Sequence, residues 1–187
     1  MFPANTRADI DRMPLALTQN LKKSIRTIPD FPKKGILFRD ITPLLLDRQK
    51  FKSCIDHFVK ITKKKVDTVI SVESRGFIFG SALAYALGIG FVPIRKEGKL
   101  PAAKFQMAYN LEYGRAVVEI HNDAIRKGSQ VILMDDVLAT GGTMKAAADL
   151  VRKLGGEIAG IYFLIELKSL KGREKLSGYP VYSLITY

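Results

Sequence analysis

One cysteine, Cys54, is all the thiol chemistry this chain of 187 residues carries. It cannot close an internal disulfide, which argues against a stapled, secreted scaffold and fits a reducing cytoplasm. No apolar run approaches the roughly 18 residues needed to cross a bilayer, and the opening MFPANTRADIDRMP has no signal-peptide apolar core, so no membrane partner is expected. Acids are scarce too: 18 Asp and Glu face 30 Lys and Arg, a formal charge of +12. Such an excess invites a polyanion, whether nucleic acid, an acidic membrane or a small phosphorylated ligand. The charge is scattered, however, with small clusters at Lys22-Lys23, Lys33-Lys34 and Lys63-Lys64-Lys65 and no arginine-rich tract. RNP-type aromatics are also missing. Binding to RNA should therefore be weak and steeply salt-dependent, and no nucleic-acid partner is expected.

What is present is an ordinary core-forming complement, 47% hydrophobic residues, with no internal repeat or low-complexity linker to split the chain. Residues 1 to about 16 read as irregular. Leu17, Leu21, Ile25 and Ile28 then recur at helical spacing, and Phe51, Cys54, Ile55, Phe58, Val59 and Thr62 repeat the pattern. Cys54 thereby falls on an apolar face as a small core residue. His57 has no companions at metal-ligand spacing and is expected to be structural or exposed.

From Val66 onward apolar, β-rich runs alternate with helical ones. The runs are VDTVISV (66–72), helical GFIFGSALAYAL (76–87), FVPI (91–94), VVEIH (117–121), VILMD (131–135), helical TMKAAADLVRKLG (143–155), IAGIYFLIEL (158–167) and PVYSLITY (180–187). This alternation predicts an α/β fold on a mainly parallel, twisted sheet flanked by helices. The near-continuous apolar strands agree, because parallel strands are buried on both faces. Between Arg95 and Arg115, RKEGKLPAAKFQMAYNLEYGR shows weak periodicity and reads as an irregular excursion of the kind that serves as a lid.

The stretch VILMDDVLATGGT (131–143) carries the chemistry. In open α/β sheets ligands bind beyond the carboxyl ends of the strands. Gly141 and Gly142 allow successive amides to turn toward one point, Thr140 and Thr143 add hydroxyls, and the following helix presents its positive end. Those features shape an anion site, although the sequence has neither a Walker A ending nor a GxGxxG turn. Asp135 and Asp136 would repel a phosphate in the cradle, yet carboxylates accept hydrogen bonds from vicinal sugar hydroxyls or magnesium-bound water. Acids beside a phosphate cradle suggest a ribose 5-phosphate. The alternative, acids that cap a helix and glycines that turn the chain, fits the short pattern equally well.

The full thirteen residues resemble the phosphoribosyl pyrophosphate (PRPP) motif of the type I phosphoribosyltransferases. IPDFPKKGILFRDITPLL (28–45), ESRGFIFG (73–80), IRKEGKLP (94–101), NLEYG (110–114) and LKGREKL (170–176) are similar, in order and spacing, to the adenine-using branch of that family. The resemblance spans residues 25–187 as a single domain; residues 1–24 lie outside it and receive no role. It implies the type I phosphoribosyltransferase fold with a small N-terminal hood and a flexible lid at about 95–115. It also implies transfer of ribosyl phosphate from PRPP to N9 of adenine with Mg2+, giving AMP and pyrophosphate, in a cytoplasmic homodimer. No residue is expected to ligate the metal directly; PRPP would hold it, with Asp135 and Asp136 reaching it through water.

By the same resemblance, Ala139, Thr140, Gly141, Gly142 and Thr143 hold the 5-phosphate, and Asp135 and Asp136 address the ribose hydroxyls. Glu73, Ser74 and Arg75 form a pyrophosphate loop whose Glu73–Ser74 peptide is expected to be cis, and Arg75, catalytic together with Glu112, offers its guanidinium to pyrophosphate or toward the base edge. Arg95, Lys96 and Lys99 supply positive charge to pyrophosphate, some of it across a dimer interface. Phe38 stacks on the purine, backbone groups of Leu37 and Arg39 read adenine N1 and N6, and Val137 packs near the base. Glu112 exchanges a proton at purine N7, and Tyr113 closes beside the sugar phosphate; on its residues alone Glu112 also reads as a solvated loop acid. Phe31 is expected to be a core aromatic, and His121 a structural residue. The chain has Val137 where many members have leucine, and Glu97 adds an acid to the basic loop. Other bases, such as hypoxanthine, xanthine or orotate, remain alternatives, as does a non-catalytic PRPP sensor, for which the first 24 residues are too short to supply a winged helix.

Overall fold

The computed structural model describes residues 14–110 and 114–187. The chain divides into two compact units, one ending at His57 and one running from Phe58 to Tyr187.

The first unit contains α1 (Leu15–Lys23), β1 (Arg26–Pro29), β2 (Leu37–Asp40), α2 (Thr42–Leu46) and most of α3 (Arg48–Ile61). The helical spacing that runs to Ile28 in the sequence is cut short at Lys23, and Ile28 lies in β1. Pro29 disfavours helical backbone in the residue before it, which accounts for the extended Ile28. β1 and β2 form an antiparallel hairpin with Thr27 opposite Arg39 and Ile28 opposite Phe38. Arg26 fastens its open end, donating from Nε (2.9 Å) and Nη2 (2.5 Å) to Asp40, which also accepts the Thr42 amide at 2.9 Å. The connecting turn holds a cis Phe31–Pro32 peptide and Asp30 at φ 56°. Phe31 is 51% exposed on this turn, not a core aromatic. Its ring meets Phe38 edge-on at 5.0 Å, while Leu21, Ile25, Ile41, Leu44, Cys54 and Ile55 are the buried apolar side chains. Burial pushes the Cys54 thiol up to about 12, which leaves it inert as a nucleophile. His57 is buried, the structural outcome.

The second unit contains β3 (Thr68–Val72), α4 (Gly76–Leu87), β4 (Gly90–Lys96), β5 (Lys104–Asn110), β6 (Arg115–His121), β7 (Gln130–Leu138), α5 (Gly142–Lys153), β8 (Glu157–Glu166), two 3-10 turns (Lys168–Leu170 and Gly172–Leu176) and β9 (Val181–Thr186). Seven strands form one sheet in the order β5-β6-β4-β3-β7-β8-β9. β4, β3, β7, β8 and β9 run parallel, as their long apolar runs require; β6 and β5 add an antiparallel edge. On β3, Ile70 and Val72 join the buried cluster that includes Met144, Ala147 and Val151 of α5. Ser71 points to the opposite face, where α4 packs, and bonds the Met134 carbonyl at 2.7 Å. The sheet is thus covered on both sides.

The stretch from Arg95 to Arg115 is more regular than its sequence suggests, because β5 pairs with β6 along its whole length. Phe105, Met107 and Tyr109 alternate toward the core cluster, a period-two signal diluted in the sequence by the Pro101-Ala102-Ala103 approach. Residues 111–113, including Glu112 and Tyr113, lie outside the described residues. Among the described residues no helix is long and apolar enough to cross a membrane.

Candidate active site

The parallel register brings three strand ends together. Val72 pairs with Ile94, and Ser71 with Met134, so the residues that follow β3, end β4 and close β7 share the carboxyl edge of the sheet. After β3 the chain turns through Glu73, Ser74 and Arg75 into α4, and the Glu73–Ser74 peptide is cis, as the resemblance implies. Glu73 is clasped from β4: Arg95 Nε donates to its Oε2 at 2.8 Å and the Lys96 amide at 3.0 Å. The Arg95 bond, helped by the Lys96 amide, holds the Glu73 carboxyl below the ordinary carboxylate range.

β7 ends in the two adjacent acids. The Asp136 amide donates to Asp135 Oδ1 at 2.9 Å, and Arg75 Nε lies 2.7 Å from Asp136 Oδ2. Burial, with the neighbouring charge of Asp136 added, pushes the Asp135 carboxyl well above its usual range. Burial also raises Asp136, though Arg75 opposes it. Raised carboxyls beside a guanidinium, at the carboxyl edge of a parallel sheet, make this pair a candidate functional site. Val137 is half-buried just beyond.

Ala139 to Gly141 then turn the chain into α5. Gly141 stands at φ 77° as the residue before the helix, a conformation that costs glycine nothing. Its backbone is braced from behind by the second 3-10 turn. A Cβ on Gly172 would collide with the Ala139 carbonyl and stand 2.9 Å from the Gly141 nitrogen, and one on Gly141 would stand 3.0 Å from the Gly172 carbonyl carbon. Arg173 locks the brace in place, with Nε and Nη2 donating to Glu166 at 3.0 and 2.5 Å and Nη1 to the Val181 carbonyl at 2.8 Å. LKGREKL is visible in the sequence without a role; its role is contact with a loop some thirty residues earlier, which no local pattern reveals.

Lys96 ends β4 and the turn after it carries Glu97 and Lys99, all three exposed, with Gly98 at φ 75°. It is held by Glu119 of β6, a fully buried carboxylate that sequence reasoning passed over inside VVEIH. An acid flanked by buried Val118 and Ile120 was the available signal. His121 bonds the Pro101 carbonyl through Nε2 at 2.8 Å, a structural contact.

Leu37, Phe38 and Arg39 stand on β2 of the first unit. Phe38 is half-buried, Leu37 is 54% exposed, and the Arg39 guanidinium bonds Thr27 Oγ1 through Nη1. Leu37 and Arg39 are two apart in an extended strand, so their backbone groups face one edge.

A family model of the phosphoribosyl transferase domain matches residues 45–185. An adenine phosphoribosyltransferase from Halothermothrix orenii is 56% identical over 88% of this chain and 98% of its own length. A crystal structure of the adenine phosphoribosyltransferase from Thermoanaerobacter pseudethanolicus superposes with a TM-score of 0.88 at 51% identity, covering 91% of this chain and 99% of that one. The Saccharomyces cerevisiae enzyme, complexed with an imino-altritol bisphosphate and adenine, gives 0.87 at 44% identity over 90% and 98%. The chain belongs to the phosphoribosyltransferase family, in its adenine phosphoribosyltransferase branch, whose members transfer the 5-phosphoribosyl group of PRPP to N9 of adenine and release AMP and pyrophosphate.

Proposed function

We propose a division of labour for this transfer among the residues of the sheet edge and of β2, within one phosphoribosyltransferase domain from about Ile25 to Tyr187 whose lid lies at about 95–115. The observation that carries it is the paired acid and braced glycine turn on β7, with Arg75 at Asp136 and Arg95 at Glu73 alongside. Ala139 to Thr143 hold the 5-phosphate with backbone amides, threonine hydroxyls and the positive end of α5. Asp135 and Asp136 accept the ribose hydroxyls. Bond breaking at C1 leaves positive charge on the ribose ring and negative charge on the departing pyrophosphate. The nearby carboxylates suit the first, and Arg75, Arg95, Lys96, Lys99 and the Glu73-Ser74 backbone the second.

Phe38 stacks on adenine, the Leu37 and Arg39 backbones read N1 and N6, and Val137 packs beside the base. Hypoxanthine and guanine reverse the donor and acceptor polarity at those positions, so a backbone arrangement built for adenine leaves polar groups unpaired with them. The adenine held by the yeast relative supports this reading. Proton exchange at N7 falls to Glu112, and closure beside the sugar phosphate to Tyr113.

Magnesium fits as a substrate-borne ion. The Asp135-Asp136 pair suits water-mediated contact to an ion carried by PRPP. When bound, the ion neutralises charge on the leaving pyrophosphate. A homodimer in the cytoplasm completes the reading, consistent with a single, buried cysteine.

The test is pyrophosphate release with PRPP and magnesium, offering adenine, hypoxanthine, guanine, xanthine and orotate separately to protein of known sedimentation. AMP from adenine alone, made by a dimer, is the expected result. Turnover of another base would overturn the pocket, a fully active monomer the dimer, and tight PRPP binding without turnover the enzyme itself.

A further inference from the structure

Glu119 is a full carboxylate at 0% exposure in the middle of β6, directly opposite Arg95 of β4 in the antiparallel register. A charge so placed is tolerated only when its oxygens are satisfied. Here four donors converge on it. Oε1 accepts the Gly98 amide at 3.1 Å and Gln106 Nε2 at 2.7 Å. Oε2 accepts the Leu100 amide at 3.3 Å and has Lys104 Nζ at 3.4 Å. Burial pushes its carboxyl upward, but the Gly98 amide, Gln106, the Leu100 amide and Lys104 outweigh it and bring it down to about 2. Glu119 is therefore ionised throughout the neutral range.

These donors come from the turn between β4 and β5 and from the first residues of β5. The turn has other anchors: the Lys96 amide on Glu73, the Glu97 amide on the Val117 carbonyl at 3.2 Å and the Lys99 amide on the Lys96 carbonyl at 3.1 Å, with Lys104 Nζ on the Leu100 carbonyl at 2.7 Å and His121 on the Pro101 carbonyl at 2.8 Å beyond them. Its exposed lysines have no packing of their own to fix them. The backbone under them is fixed instead, at Gly98 and Leu100, by one buried carboxylate. We propose that Glu119 is a positioning residue for the diphosphate of PRPP: it never touches substrate, but it sets the turn that presents Lys96 and Lys99 and ties that turn to the β5–β6 hairpin. This rests on the reading that the turn meets pyrophosphate.

Glu119→Gln keeps the shape but gives two of the four donors an amide nitrogen in place of an acceptor. The turn should shift, and displacement on the order of 1 Å costs up to about a hundredfold where charges must meet. The measurement is the Michaelis constant for each substrate in both directions. Glu119→Gln is expected to raise those for PRPP and for pyrophosphate about tenfold or more, with that for AMP little changed. Gln106→Ala, which removes one donor and leaves the carboxylate, should give a smaller change of the same kind and serves if Glu119→Gln does not fold.

Lys96→Ala/Lys99→Ala separates the two ideas. If that pair of changes leaves the pyrophosphate constant unaltered, the reading of the turn fails, and with it the inference. If it raises the constant whereas Glu119→Gln, or Gln106→Ala in its place, does not, the reading stands and the inference alone is overturned. Lower turnover with every Michaelis constant unchanged would assign Glu119 to folding only and also overturn it.

Discussion

Asp135 and Asp136 sit side by side at the end of β7, where burial pushes both carboxyls up and Asp136 adds its charge to the pressure on Asp135. A carboxyl raised in the folded state contributes its stability below the ordinary carboxylate range and loses it as pH rises through the raised value. Burial of the pair therefore costs the fold stability as pH rises above the ordinary carboxylate range, and the ribose it is proposed to bind would relieve the cost by donating hydrogen bonds. Asp135→Asn should accordingly be more heat-stable than the parent, by a margin that grows as pH rises above the ordinary carboxylate range. Its kcat/KM for PRPP should fall about tenfold to a hundredfold for the lost charge-assisted bond. Melting curves across a pH series from the ordinary carboxylate range upward check the first part; a margin independent of pH would sink it. Most of this site was legible in the sequence because DDVLATGGT concentrates acids and phosphate cradle in one turn. Glu119 was not, since its partners Gly98, Leu100, Lys104 and Gln106 become neighbours only when β4, β5 and β6 pair.

Among elements, the turn from Ala139 to Gly141, proposed to hold the 5-phosphate, depends on a second backbone. Gly172 lies flush against Ala139 and Gly141, and Arg173 fixes it to β8 and β9 through Glu166 and Val181. Gly172→Ala has no room for its methyl, so the turn must move by a fraction of an ångström or more. Because AMP and PRPP share the 5-phosphate, Gly172→Ala should raise the Michaelis constants of both, by up to about a hundredfold, and leave that of pyrophosphate nearly alone. This is the mirror image of the pattern expected for Glu119→Gln. Equal effects on all three substrates would show that the brace does not act through the phosphate turn. The helices and parallel strands around this turn were legible from periodicity, within a few residues at each end. The hairpin of β1 and β2 was not: each strand has four residues, too few to show alternation, and Pro29 redirects Ile28 out of a spacing that otherwise reads as helix.

For the whole molecule the dominant electrostatic fact is a formal charge of +12, which grows as acids are protonated and makes the compact state increasingly self-repelling. Among the described residues five carboxylates resist that protonation. Asp40 is held down by the Thr42 amide and Arg26, Asp47 by the Lys50 amide and ammonium, Glu73 by Arg95, and Glu166 by Arg173. Glu119, fully buried, is held down by donors that outweigh its burial. A lowered carboxyl contributes stability above its unfolded value and loses it as pH falls through the folded one. For Glu119 that window runs from 4.5 down to about 2. Stability should therefore decline steeply below the ordinary carboxylate range, with Glu119 responsible for much of the steepness. Denaturant unfolding of the parent and of Glu119→Gln at pH 7, 4 and 3 tests this. The parent's advantage should be largest at pH 7 and shrink at each step toward acid, because the amide that replaces the carboxylate has no proton to take up. An advantage that stayed constant with pH would mean that the β4–β5 turn is held by the shape of the buried side chain and not by its charge.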